Sequence, residues 1–344
     1  MKIAIIKPYR LSFIRGNALS VHRLISGLRD RKVDVKEICI SDYKYKRDIY
    51  KDVSSFKPDL IHGFHGYKIG RVVLYLKKRM GVPLIISLRG TDFNHDLLNN
   101  KRRPLVLETL SSADMIIVFA SFTKELIRKG NPELSCDKVH IIPHAAKLKE
   151  NPYNILDELN LKKEHFIFFL PGGIRKVKNV EFCIKPLNRL KKSYPQIKLI
   201  YAGSIIEKRI GLRFIKKIRN LDWVIYLGAV PHDRMYSLYR ASDVVMNTSL
   251  SEGMPNSLLE AMSLGKAVLA SHIPGNQAIV KNEEDGLLFE TEEEFIKKAE
   301  RLIRDKDLRK RLGRKAKEKI KKYHTPRGEL DEHMKIYKRL LSSG

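Results

Sequence analysis

Short β-branched runs alternate with helical stretches along almost the whole chain, and this alternation leaves few folds open. Parallel strands need long crossovers, usually helical, and those helices cover both faces of the sheet. Six runs come first: Lys2 to Lys7, Val33 to Ile38, Leu60 to His62, Leu84 to Leu88, Met115 to Phe119 and Val139 to Ile142. Most are apolar throughout rather than alternating, as strands buried on both faces must be. The pattern stops after Pro143, through the polar segment Lys147 to Asn154, and restarts at Phe166 to Leu170. A second series follows at Lys198 to Ala202, Val224 to Leu227, Val244 to Asn247, Ala267 to Ala270 and Gly286 to Phe289. The expectation is an α/β protein of two Rossmann-like domains, residues 1–150 and 151–324. A last helix, 325–344, follows the break at Thr325-Pro326.

At 344 residues the chain has room for two such domains. No apolar stretch approaches the roughly 18 to 20 residues of a membrane-spanning helix. The first residues read as a strand rather than a leader peptide, so a cytoplasmic location is expected. Cys39, Cys136 and Cys183 are widely separated and show neither disulfide nor metal-ligand spacing, which predicts reduced packing residues. The net charge of +28 divides evenly, +14 on residues 1–150 and +14 on the remainder. Such spreading describes a Lys-rich surface rather than a nucleic-acid-binding tail.

In open parallel sheets ligands bind beyond the carboxyl ends of the strands, so the loops after strands hold the candidate chemistry. The most informative runs from Ser251 to Gly265, after the strand Val244 to Asn247. Pro255 stands near the first position of a helix that Asn256 or Ser257 could cap and Gly265 ends. The amides of Gly253, Met254, Pro255's neighbours Asn256 and Ser257 would direct positive dipoles outward, a site for a phosphate or sugar oxygen. Glu260 lies about a turn further along, on a helix otherwise of Leu, Ala and Met. A carboxylate there needs a partner: backbone, a lysine, or the two hydroxyls of a sugar diol. In the first half, Arg15-Gly16-Asn17 precedes a helix, and Gly16 would let backbone approach a phosphate.

The pattern Glu-Gly-x-Pro-x4-Glu-Ala-Met-x2-Gly, with Glu252 and Glu260 in it, resembles the retaining nucleotide-sugar glycosyltransferases of GT-B fold, glycosyl transferases group 1. Pro171 to Lys178 and Ile273-Pro274-Gly275-Asn276 are similar to the glycosyltransferase 1 domain-containing branch. The resemblance implies two Rossmann-like domains facing a central cleft, with the final helix packed back on the first. It implies that Glu260 binds the nucleotide ribose and Glu252 the donor sugar. Arg175 and Lys178, after the Gly172-Gly173 turn, match the basic pair that holds the diphosphate, where fixed cations stabilise the charge developing on the leaving group. Leu88-Arg89-Gly90-Thr91-Asp92 corresponds to a segment that often reads His-Gly-x-Asp. Arg89 replaces the histidine, which leaves it a phosphate contact and Asp92 a contact to a sugar hydroxyl. His62, His65 and His144 also end strands and are expected to pack or cap.

The expected activity is therefore glycosyl transfer from a nucleotide sugar to an unidentified acceptor, with retention and without a metal or resident cofactor. Asp305-Lys306-Asp307, the one Asp-x-Asp, reads as solvated surface. The alternatives are a nucleotide-sugar epimerase of similar fold, a catalytically silent nucleotide-sugar binder, and a nucleic-acid binder, which the even charge disfavours. Clusters Tyr43 to Arg47, Lys77 to Arg79 and Lys101 to Arg103 suggest a peripheral contact with anionic membrane.

Overall fold

The computed structural model describes residues 1–10 and 16–342, so Arg15 lies outside the described residues. The chain divides into two compact units, residues 1–145 with 326–344, and 146–325. Each is built on one six-stranded sheet whose strands pair in parallel throughout.

The first unit holds β1 (Lys2–Lys7), β2 (Asp34–Cys39), β3 (Leu60–Phe64), β4 (Leu84–Ser87), β5 (Met115–Val118) and β6 (Val139–Ile141), in the order β2-β1-β3-β4-β5-β6. Their apolar runs are buried because helices lie on both faces. On one face, Ile3, Ile5, Leu60 and Ile85 pack with Val21, Leu24 and Leu28 of the helix Gly16–Asp30. On the other, Ala4, Ile6, Ile61 and Ile86 pack with Val72, Val73 and Leu76 of the helix Gly70–Met80. The last helix, Pro326–Ser342, lays Ile336 and Tyr337 against the first of these layers and belongs to this unit. The unit ends at Ala145, short of residue 150, because His144 and Ala145 are both buried in it.

The second unit holds β7 (Phe166–Pro171), β8 (Ile197–Ala202), β9 (Val224–Tyr226), β10 (Val244–Asn247), β11 (Ala267–Ser271) and β12 (Leu287–Phe289). Their order is β12-β11-β10-β7-β8-β9. The chain thus winds outward from β7 through β8 and β9, then returns to the opposite side of β7 to lay down β10. At such a switch point the loops leaving adjacent strands lead to helices on opposite faces of the sheet, and ligands bind beyond the carboxyl ends of the strands. The loops that follow β7 and β10 are those carrying Arg175, Lys178 and Glu252. The Ala146 amide donates to His324 O at 3.0 Å, tying together the segments where the chain enters and leaves this unit.

Candidate active site

The loop after β7 begins with Gly172 at φ +151°, a region that L side chains rarely adopt. It is held to the end of β8 by Gly172 N–H to Ala202 O at 2.8 Å and to the loop that follows by Ile174 N–H to Ser204 O at 2.8 Å. Arg175 then leaves in extended conformation, and a short turn, Lys176–Lys178, brings Lys178 back toward β10. The Leu250 amide donates to Val177 O at 2.8 Å, and Thr248 Oγ1 donates to Lys178 O and Asn179 O, each at 3.1 Å. The two loops are therefore stitched together by one backbone amide and one hydroxyl before any charge is considered.

The Lys178 ammonium pairs with Glu252 Oε1, both largely buried. The same oxygen accepts from Ser249 Oγ at 2.7 Å and from Asn247 Nδ2 at 3.2 Å. Burial alone would push this carboxyl up, but the ammonium and the two neutral donors hold it below its ordinary range. Asn247 and Ser249 are positioning residues that the sequence pattern did not single out. Gly275, in the short helix Pro274–Gln277, lies directly against the same loop. A Cβ there would stand 2.4 Å from Glu252 O, so this glycine is what admits the Glu252 backbone. Arg175 is half-buried, and its Nε has no hydrogen-bond partner among the described residues.

The helix after β10 is Asn256–Ser263, with Pro255 itself at the cap position and no side-chain cap. This corrects the expectation that Asn256 or Ser257 would cap: the first-turn amides, which have no acceptor inside the helix, are not covered by either side chain. Gly253, Met254 and Pro255 are buried, while Asn256 and Ser257 are half-buried. The helix closes with Gly265 N–H to Met262 O and Lys266 N–H to Ala261 O, the paired bonds of a glycine-terminated helix.

Glu260 is 8% exposed on this apolar helix. It has partners, but neither backbone nor a lysine among those hydrogen-bonded to its carboxylate. Oε2 accepts from the buried Tyr239 hydroxyl at 2.8 Å, and Oε1 lies 2.9 Å from His232 Nε2. Both come from the segment between β9 and β10, the turn His232–Arg234 and the helix Met235–Ala241. Neither was legible as a site residue in the sequence.

In the first unit, Gly16 opens the helix Gly16–Asp30. Arg89 and Asp92 face inward, which corrects the expectation that they present themselves to phosphate and sugar. Asp92 is fully buried, and its carboxylate accepts the Arg89 and Gly90 amides at 2.9 Å and the Gly66 amide at 3.2 Å. It holds its own loop. The Arg89 guanidinium lies 4.4 Å from the Phe64 ring centre and 5.3 Å from that of Phe119. Its Nη1 lies 3.2 Å from Ser20 Oγ and 3.3 Å from His144 Nε2. His144 Nδ1 meets Glu329 Oε1 at 3.1 Å, and Arg23 Nη2 donates to Glu329 Oε2 at 2.7 Å. Because a carboxylate only accepts, His144 carries its proton on Nδ1 and offers Nε2 to Arg89. Burial first, and then the Arg89 charge, press the imidazole down to about 4 despite Glu329. His62 lies between Tyr337 and Ser87 at 2.7 Å each, and His65 Nδ1 accepts the Lys68 amide at 3.3 Å.

The basic clusters are partly tied down. Lys77 pairs with Asp114, Arg102 with Asp96, Arg103 Nη2 donates to Gly130 O, and Tyr43 donates to Asp52. Asp305 of the Asp-x-Asp caps the helix Lys306–Tyr323 through the Leu308 amide at 2.7 Å. Among the described residues no group of three or more His, Cys, Asp or Glu is arranged to hold a metal, and no helix is long and apolar enough to cross a membrane.

Residues 154–319 match the profile of glycosyl transferases group 1, and residues 35–150 that of glycosyltransferase family 4. The glycosyltransferase 1 domain-containing protein 1 of Xenopus tropicalis is 28% identical over 285 residues, 81% of each chain. An Escherichia coli relative, UDP-Gal:alpha-D-GlcNAc-diphosphoundecaprenol alpha-1,3-galactosyltransferase, is 26% identical over 78% of this chain and 72% of its own. Among solved structures, sucrose-phosphate synthase from Thermosynechococcus elongatus superposes with a TM-score of 0.83 over 100% of both chains at 18% identity. Anabaena HepE, in complex with UDP and glucose, gives 0.82 over 98% of this chain and 100% of its own at 14% identity. The chain carries a glycosyl transferases group 1 domain over residues 154–319 and a glycosyltransferase family 4 domain over residues 35–150, on the GT-B fold of its structural neighbours.

Proposed function

We propose that the protein transfers a sugar from a nucleotide-activated donor, held by the second unit at the β7–β10 switch point, to a hydroxyl-bearing acceptor. The observation that carries this reading is the Lys178–Glu252 pair joining the loops after β7 and β10, with Glu260 on the helix that the second loop enters. Glu260 takes the ribose hydroxyls and Glu252 the donor sugar. Arg175, Lys178, Gly173 and the amides from Gly253 to Ser257 take the diphosphate. A UDP-sugar is the donor class favoured by the relative named for UDP-Gal and by HepE bound to UDP and glucose.

In the reaction the acceptor oxygen bonds to the anomeric carbon while the bond from that carbon to the diphosphate oxygen breaks. The acceptor proton passes to the leaving phosphate, and configuration is retained because attack comes from the face the leaving group vacates. Charge grows on the diphosphate as this happens, and the cations of Arg175 and Lys178 meet it, so no metal is required.

Glu260→Gln and Arg175→Ala then damage different parts of one ligand. A hydrogen bond to a charged group is worth about 1.5 to 3 kcal/mol. Because the ribose changes little during reaction, Glu260→Gln loses that amount chiefly as weaker donor and nucleoside diphosphate binding. Arg175→Ala lowers kcat beyond its effect on donor affinity. Calorimetry and steady-state kinetics on folded variants, run in excess chelator, measure both. Wild-type affinity and turnover in the two variants, or loss of wild-type activity to the chelator, would remove the assignment.

A further inference from the structure

We propose that His232 and Tyr239 aim the Glu260 carboxylate so that it accepts both hydroxyls of a ribose at once, making the site selective for ribonucleotides over deoxyribonucleotides. The inference rests on the reading that Glu260 faces the donor's ribose. It assigns the orientation of that carboxylate to two residues from another part of the chain.

A carboxylate on a flexible side chain presents no fixed pair of acceptors, and Glu260 has no anchor on its own helix, where its neighbours Leu258, Leu259, Ala261 and Met262 are all buried apolar residues. Its two oxygens are instead held separately. Tyr239 is fully buried, its ring edge-on to Phe169 of β7 with centres 5.3 Å apart, and its hydroxyl reaches Oε2 at 2.8 Å. His232 reaches Oε1 at 2.9 Å from a separate turn. Since the carboxylate only accepts, the phenol and the imidazole Nε2 both donate. Burial, then the nearby Glu260 charge, raise the phenol well above 10, so it stays a donor at any working pH.

Two donors on two oxygens fix the plane of the carboxylate. They also use one acceptor direction on each oxygen and leave one on each. What remains is a pair of acceptors side by side, the complement of two hydroxyls on adjacent carbons. A ligand lacking one hydroxyl would leave an acceptor of a nearly buried charge unpaired, and the penalty for that is larger than the gain from a matched bond.

The test uses the full chain and the tightest binder among ADP, GDP, CDP and UDP, compared by calorimetry with its 2′-deoxy and 3′-deoxy counterparts. Wild type is expected to prefer the ribonucleotide by about tenfold or more over either. Tyr239→Phe and His232→Phe keep ring volume and remove one donor each. They are expected to bring that preference within about threefold and to raise donor KM with little change in kcat. His232→Gln, whose amide can donate, restores much of the preference. A residue that served only stability would leave the ratio untouched. Equal wild-type binding of ribo and deoxy forms overturns the inference whatever the variants do. So does an unchanged ratio in both Phe variants when Glu260→Gln abolishes it. If Glu260→Gln leaves nucleotide affinity intact, or if no nucleoside diphosphate binds, the donor reading itself falls and takes the inference with it.

Discussion

Glu329 comes from the last helix of the chain, and its carboxylate is the pivot of a buried sequence of charges in the first unit. Arg23 donates to one of its oxygens through Nε at 2.9 Å and Nη2 at 2.7 Å, and His144 to the other. Burial would raise this carboxyl, yet the His144 N–H and the Arg23 charge bring it to about 2. Depressed in this way, it contributes stability that is complete above an unfolded value near 4.5 and lost as pH falls toward 2. His144 adds a loss at higher pH. Its imidazole is neutral in the fold with a value of about 4, so the unfolded chain takes up the proton first between pH 6.5 and 4. Glu329→Gln is expected to cost about 3 kcal/mol or more at pH 7, since it strands a buried arginine, and to flatten the acid dependence below pH 4.5. Urea unfolding at pH 7 and pH 3 checks both, and an unchanged acid slope would refute the role. None of this was visible in the sequence, where Arg89 and His144 read as isolated residues at strand ends. The same holds at the candidate active site. The two glutamates stand in a recognisable loop-to-helix pattern, but Lys178 meets Glu252 across 74 residues, and His232 and Tyr239 meet Glu260 across 28 and 21. Contacts that sheet topology creates have no spacing rule.

The strands were legible because strands covered on both faces are written as continuous apolar runs. Val244 to Asn247 is found at its expected ends, while β3 runs on through Gly63 and Phe64, since Gly63 sits in the sheet opposite Ile86. Helix ends were less legible, because a capping residue type shows only that a cap is chemically available. Asn256 and Ser257 have that chemistry and do not use it, whereas Asp305 looked like solvated surface and does. One element contact makes a sharp test. The helix Lys306–Tyr323 crosses the end of Asn256–Ser263 at Gly313, where a Cβ would stand 1.9 Å from Gly265 O. Helix propensity alone makes Gly313→Ala stabilising by about 1 kcal/mol. The close approach makes it destabilising, by about 1 to 3 kcal/mol, because backbone on the neighbouring turn must move. Chemical denaturation distinguishes the two signs, and any loss of nucleotide affinity would report that the shift reaches Glu260.

At the scale of the whole molecule the two units are built differently along the chain: the second is one continuous segment, and the first is two. The alternation of strands and helices revealed both sheets, but a helix carries no mark in its own sequence of which unit it will join. The final helix is committed by particular residues, Ile336 and Tyr337 in the core and Glu329 and Asp331 in ion pairs with Arg23 and Arg31. A chain stopped after Thr325 keeps every residue of the second unit and uncovers Val21, Leu24 and Leu28 of the first. Hydrogen exchange on that truncated chain is expected to show protection retained in β7 to β12 and lost across β1 to β6. Uniform protection in both would mean the helix is dispensable.

The discontinuity also sets a timetable. A ribosome delivers β1 to β6 first, yet their layer next to the helix Gly16–Asp30 stays open until the last helix, Pro326–Ser342, has emerged. The second unit, made later, is complete sooner. The nascent chain therefore carries an uncovered apolar face through the whole synthesis of a neighbouring domain, and emergence of the last helix, rather than the making of any strand, is the event that finishes the first fold.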